Sequence, residues 1–503
     1  MSLLVSAARA NLVLGPIGLV LAVATSVLIA RWLGPHTFAD YATLLAVLWW
    51  LTLLGEAGCN VGLQRYLAEA GIAHARLRFY WVLQLRRWCV VSALTVAVMV
   101  LGPVWAARAQ LPAALWGPVT FGLIGILAGI ILHAQLAASG LLATFKHARA
   151  MTVANSMSVL RAAALGAVCI YFSEPTALVV ALLAVALTEA ALLHWSIVQV
   201  FGQERSPLPP GMANAAQRHG LVAIVDKCST ALTGSQLLLL LLAGYQERVE
   251  LAVFAVAADT MQRALGIIYL PISNLVFPML NDSRRDPVRF IRQVERLGGV
   301  VILVTAFALA VVAAAIPAGL PLLFGDAYTG AVPIALLWAF PLFVEAAARM
   351  IWGASLLTLD YHSWLMKFNV VFGLLSAVVV FAIVHADITT IVVAVGLLRL
   401  VMVGVLLAKG AKLGLLPAPV FPLRITSAAA AALALSWGVQ IALSDALPIW
   451  RLLLGLGVFA TFTGALLHLI PLIPERSYEV FLQLAGRYGS LLSRMIPQYW
   501  TPP

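Results

Sequence analysis

Apolar residues fill this chain in long runs, and polar residues gather in short clusters that punctuate them. Roughly 20 consecutive apolar residues make a membrane-crossing helix, and Gly, Pro and charge clusters mark the breaks. On that pattern the sequence predicts fourteen helices, at approximately 11–30, 38–60, 88–107, 116–137, 151–172, 176–200, 219–243, 250–277, 298–324, 330–352, 366–385, 388–408, 425–443 and 450–471. The expected fold is an all-α polytopic membrane protein. Arg9 followed by an apolar run resembles a signal peptide, but the run is long enough to span and a second follows after Gly34-Pro35, so it reads as a retained first span.

One stretch, 28–70, carries a polar pattern inside this apolar frame. Glu56, Asn60 and Gln64 fall four apart, which on one continuous helix forms a polar stripe. Gly58 with Gly62, and Gly125 with Gly129, read as small-residue faces for close helix packing. The step from Leu33-Gly34 to Tyr41-Ala42 and a long apolar helix recurs from Ala243-Gly244 to Leu251-Ala252 and another such helix. This weak repeat divides the chain into an N-terminal lobe of six helices (1–201), a cytoplasmic linker (202–218), a second six-helix lobe (219–408), two further helices (409–474) and a cytoplasmic amphipathic tail (475–503). Parallel repeats of this kind place a transporter's substrate site between lobes.

Composition removes the soluble alternatives. The chain is 63% hydrophobic and 10% charged, where soluble domains carry about 25% charged residues; its mean hydropathy is +1.01. The net charge of +11 would suit nucleic acid, but its placement follows membrane topology. With both termini in the cytoplasm, only Arg31, Arg108, Arg248 and Arg451 fall outside. The clusters Arg76, Arg78, Arg86, Arg87 and Arg284, Arg285, Arg289, Arg292, Arg296 lie inside, where they also meet anionic membrane lipids. Cys59, Cys89, Cys169 and Cys228 show no paired spacing and read as packing residues. No HExxH or Walker pattern is encoded, so neither a metal site nor a cofactor nor an enzyme is expected. Gly455, Gly457 and Ala460 match a dinucleotide fingerprint in letters, but no strand precedes them, and helix contact explains the glycines.

Candidate chemistry lies in ten ionisable groups inside the predicted spans: Glu56, Arg161, Glu189, Asp226, Lys227, Asp259, Arg263, Glu345, Arg349 and Arg399. Each would cost about 2.5 to 3.5 kcal/mol facing lipid at a helix centre, so they cannot all do so. Asp259 with Arg263 and Glu345 with Arg349 are acid-before-base pairs at i,i+4. Thr52, Glu56, Asn60 and Gln64 on the second run, Asn155, Ser158 and Arg161 on the fifth, Asp226, Thr230, Thr233 and Gln236 on the seventh, and Asp259, Gln262 and Arg263 on the eighth form polar faces. They predict either a water-filled cavity lined from both lobes or scattered interhelical hydrogen bonds.

The residues LIARWLGPHTFADYATLLA, the following LQRYLAEA, and LLFGDAYTGAVPIALLWAF at Leu322–Phe340 resemble the polysaccharide flippases of the multidrug/oligosaccharidyl-lipid/polysaccharide exporter superfamily. The resemblance implies a flippase of the bacterial inner membrane. It would carry an undecaprenyl-pyrophosphate-linked oligosaccharide repeat unit from the cytoplasmic to the periplasmic leaflet by alternating access, alongside a polysaccharide polymerase and export machinery. On that reading Arg161, Lys227 and Arg263 meet pyrophosphate or acidic sugars. Asn60, Gln64, Thr230 and Gln236 bond sugar hydroxyls, and Glu56, Asp226 and Asp259 are candidates for ion coupling. A lipid II flippase, a multidrug antiporter and a membrane-embedded polymerase or glycosyltransferase are the alternatives.

Overall fold

A computed structural model describes residues 2–67, 75–108, 111, 116–144, 146–172, 175–202, 207–415, 420–443 and 447–469. Among these the regular structure is helical throughout, with no strand. In chain order the helices are α1 (Ser2–Gly55), α2 (Cys59–Tyr66), α3 (Arg76–Arg108), α4 (Pro118–Ala143), α5 (His147–Tyr171), α6 (Pro175–Phe201), α7 (Met212–Ala231), α8 (Ser235–Leu242), α9 (Arg248–Ser283), α10 (Pro287–Phe324), α11 (Ala331–Ala348), α12 (Ala354–Thr358), α13 (His362–Ala382), α14 (Ile388–Lys412), α15 (Val420–Ala442) and α16 (Pro448–Leu469). Among the described residues ten helices are long and apolar enough to cross a membrane, and Ala429–Ala442 and Pro448–Thr463 are shorter apolar helices. The polytopic all-α fold is therefore as the hydropathy pattern predicts. The predicted tail, 475–503, and residues 203–206 of the predicted linker lie outside the described residues.

Each apolar run has a helical counterpart, and the differences lie at breaks. The first two runs join end to end in α1, and the backbone leaves helical geometry at Gly34 (φ 69, ψ 169), a conformation open to glycine and costly for other residues. The second run stops at Gly55, because Ala57 (φ 46) and Gly58 (φ 75) are left-handed and α2 starts afresh at Cys59. The continuous stripe expected from Glu56, Asn60 and Gln64 is thereby corrected: Glu56 sits in the break, and only Asn60 and Gln64 ride on α2. The seventh run is interrupted at 232–234 and becomes α7 and α8. A π turn, Arg349–Gly353, separates α11 from α12, a feature frequent at functional sites.

The helices group into two compact units, Met1–Ala255 with Asn369–Ile388, and Val256–Phe368 with Thr389–Pro503. In the first, α1 packs on α5, α4 on α3 and α6, and α2 on α7. Leu44, Leu63, Phe79, Tyr80, Leu83, Phe121 and Leu136 form part of its buried core. In the second, α10 packs against α11, α15 and α16, with Ala310, Ala429 and Phe459 at the three-helix contact. Asp286 caps α10, its carboxylate accepting from the amides of Val288 (3.0 Å) and Arg289 (3.1 Å).

Candidate functional site

The break between α1 and α2 is held against α7 by backbone contact. A Cβ added at Gly58 would lie 2.2 Å from the carbonyl carbon of Gly220, and one at Gly62 would lie 2.5 Å from the carbonyl oxygen of Ala216. The predicted close-packing face Gly58/Gly62 therefore meets a second small-residue face, Ala216/Gly220, and the two backbones touch as such pairs allow. Gly125 and Gly129 serve differently: they admit the side chains of Thr95 and Trp88 from α3.

Polar groups concentrate around this joint. Lys227 on α7 donates to both carboxylate oxygens of Glu56, at 2.9 and 2.8 Å. One residue earlier, the carboxylate of Asp226 accepts from Asn369 Nδ2 at 2.5 Å. Asn60 accepts a hydrogen bond from the guanidinium of Arg87, which also donates to the Leu132 carbonyl. Thr230 donates to the Asp226 carbonyl (3.0 Å) and Thr233 to that of Thr230 (2.7 Å), which leaves each hydroxyl an acceptor. Gln64 is exposed on α2 and Gln236 half-buried on α8. The flanks of the joint are also tied: Arg65 bonds His219 at 3.1 Å, and Arg86 donates to Gln217 (2.8 Å) and Asn214 (2.7 Å).

Two more ion pairs belong to the same unit. Arg161 on α5 meets Glu189 on α6 at 3.1 Å, and Arg248 meets Asp40 at 3.4 Å. Ser158 donates to the Ala154 carbonyl of its own helix.

The second unit holds the remaining charges. Arg263 and Asp259 pair at 2.7 Å on α9. Glu345 receives two arginines, Arg349 at 2.8 Å and Arg399 at 3.0 Å, and the Arg399 guanidinium lies 4.5 Å above the Trp338 ring. The i,i+4 pairs read from the sequence are present, and Arg399 turns one of them into a triad. Two cations on one buried acid keep the cluster charged but compensated, so it reads as structural.

All ten ionisable groups of the predicted spans thus have partners. No spacing in the sequence signals the pairs Glu56–Lys227 and Arg161–Glu189, or a buried role for Asp40. The charge pattern places Arg87 in the cytoplasmic arginine cluster; in the structure it is completely buried, unlike exposed Arg78. The signal for it lies in the spacing, since Tyr80, Leu83, Arg87 and Val91 fall on one buried helical face. Among the described residues no three His, Cys, Asp or Glu side chains gather in a metal-binding group.

Comparison with known proteins agrees with this architecture. A family model described as "Polysaccharide biosynthesis protein" matches residues 10–283. No curated protein sequence matches. Among solved structures, the chain is similar to the lipid II flippase MurJ in an inward closed conformation, with 12% identity, 89% of this chain and 96% of that one covered, and a TM-score of 0.70. It is also similar to an inward-facing multidrug resistance MATE family transporter of the MOP superfamily (13% identity, 79% and 95% covered, TM-score 0.62). A third likeness is to the Vibrio cholerae MATE transporter VcmN in its bent form (13%, 82% and 100%, TM-score 0.53). At these identities the likeness concerns the fold.

Proposed function

We propose that this chain, which belongs to the polysaccharide biosynthesis protein family of the MOP exporter superfamily, is a flippase for an undecaprenyl-pyrophosphate-linked oligosaccharide repeat unit. It moves the unit from the cytoplasmic to the periplasmic leaflet of a bacterial inner membrane by alternating access, in the synthesis of exopolysaccharide, capsule or O-antigen. One observation carries the reading: an otherwise apolar bundle gathers Glu56, Asn60, Asp226, Lys227 and Thr230 around a break in its helices. A purely structural membrane helix has no need of such groups, because each costs free energy to insert.

In this reading Lys227 and Arg161, and Arg263 of the second unit, meet the pyrophosphate or acidic sugars, with charge-assisted hydrogen bonds as the source of affinity. Asn60, Gln64, Thr230 and Gln236 bond sugar hydroxyls, and Glu56, Asp226 and Asp259 are the groups for ion coupling. The lipid tail stays in the bilayer. An anionic head group moving outward is helped by an inside-negative potential, at about 2.3 kcal/mol per charge per 100 mV, so the potential can drive the step without nucleotide hydrolysis. A polysaccharide polymerase and export machinery then consume the unit.

The test is depletion of the protein in cells. The complete lipid-linked repeat unit is expected to accumulate facing the cytoplasm; its normal exposure in the periplasm would refute the proposal. A second reading, lipid II transport, is favoured by the fold match to MurJ. Mass spectrometry of the accumulated lipid separates the two, because lipid II carries a peptide and the repeat unit does not.

A further inference from the structure

Among the described residues, the ion pairs of the first unit share a polarity. In each, the acid lies behind and the base stands in front: side-chain exposure is 8% for Glu56 against 44% for Lys227, 19% for Glu189 against 41% for Arg161, and 9% for Asp40 against 37% for Arg248. The Asp259–Arg263 pair of the second unit has the reverse order. The formal balance of charges conceals this, because a pair that sums to zero still presents its accessible end to whatever approaches. Here that end is a cation.

A second positive charge acts on Glu56 from outside ion-pair distance. It belongs to Arg87, which is fully buried and fixed by its bonds to Asn60 and the Leu132 carbonyl. The two bases differ in what they can do. Arg87 is locked by two acceptors inside the core. Lys227 is a compact charge on a flexible four-carbon stem with three rotatable donors, and its accessible ammonium can trade one oxyanion for another at little desolvation cost.

We propose that Lys227 is an exchangeable phosphate ligand: it rests on Glu56 and transfers to a phosphate oxygen of an incoming anionic head group, while Arg87 keeps the vacated carboxylate compensated. Glu56 and Arg87 are then positioning residues, which hold the ammonium in place and make its departure cheap. The inference rests on the flippase reading and specifies how its substrate is engaged. The phosphate can come from the pyrophosphate of a lipid-linked glycan or from an anionic phospholipid, and the experiment separates these sources.

Full-length protein in detergent is titrated calorimetrically with inorganic pyrophosphate; in parallel, nanodiscs of phosphatidylcholine with and without phosphatidylglycerol measure lipid binding. Glu56→Gln removes the competing carboxylate, and an exposed or half-exposed ion pair is worth up to about 1 kcal/mol, so binding should tighten by roughly two- to fivefold. The double variant Glu56→Gln/Lys227→Ala should lose that gain and bind as weakly as Lys227→Ala. Glu56→Asp, which keeps the charge but withdraws it by one methylene, should fall between wild type and Gln, and it serves in place of Gln if that variant unfolds. Tightening toward pyrophosphate supports exchange with the glycan carrier, and tightening toward phosphatidylglycerol alone supports exchange with a membrane lipid. Unchanged or weaker binding in a folded Glu56 variant overturns the exchange. It leaves the transport reading standing if depleted cells still trap the repeat unit inside; if depleted cells expose the unit normally, the transport reading fails independently.

Discussion

Replacing Gly220 with Ala tests the backbone approach between α7 and the break before α2. The new Cβ would lie 1.9 Å from the Gly58 carbonyl oxygen, where ordinary contact begins near 3.4 Å. Neither atom belongs to a side chain that can turn away, so α2 and α7 must part by about 1.5 Å, at an overpacking cost of about 3 kcal/mol. Alanine is the better helix former by about 1 kcal/mol, which leaves a net loss of roughly 2 kcal/mol. The two contributions have opposite signs, and this makes the result informative. Gly404 on α14 provides the reference, since a Cβ there meets nothing within 4 Å and Gly404→Ala should stabilise or change nothing. Thermal unfolding of the purified full-length variants in one detergent reads the difference. A midpoint for Gly220→Ala at or above wild type would refute the close-packed joint and, with it, the placement of Glu56 against Lys227.

Two further substitutions probe the buried charges. Arg87→Ala deprives Asn60 and the Leu132 carbonyl of their donor, and it should lower the unfolding free energy by about 3 kcal/mol, whereas Arg78→Ala, at an exposed position of the same helix, should leave the midpoint unchanged. Glu345→Gln removes the acid shared by Arg349 and Arg399 and should cost about 3 kcal/mol in the same assay; adding Arg399→Met should restore part of the loss, because an apolar side chain in place of a buried charge needs no partner.

The apolar runs could be read from the sequence because span length is a local property, and a run ends where Gly34-Pro35 or a cluster of charges interrupts it; the break at 232–234 inside the seventh run carries no such mark. The i,i+4 pairs Asp259–Arg263 and Glu345–Arg349 were legible for the same reason. What was not legible depends on distant packing or on a single backbone torsion. Glu56, Asn60 and Gln64 keep helical spacing in letters, yet Ala57 and Gly58 turn left-handed between the first and second of them. No spacing rule links Glu56 to Lys227, which stands on another helix. Arg87 does not stand out in letters, because its neighbour Arg86 and the nearby Arg78 do reach the surface; only the period of the buried face separates it from them.

The Glu56–Lys227 pair also has a place in time. The two residues are 171 positions apart, and at about 5 to 20 residues per second of synthesis Lys227 is made on the order of ten to thirty seconds after Glu56. Arg161 and Glu189, 28 positions apart, are separated by only a few seconds at that rate. Newly made Glu56 therefore precedes its partner by the longer interval, whereas Arg87, the buried cation of α3, follows it within a few seconds. The Arg161–Glu189 contact can therefore form before the α2–α7 joint, which waits for Lys227 to be made. Asn369, 143 residues beyond Asp226, arrives last.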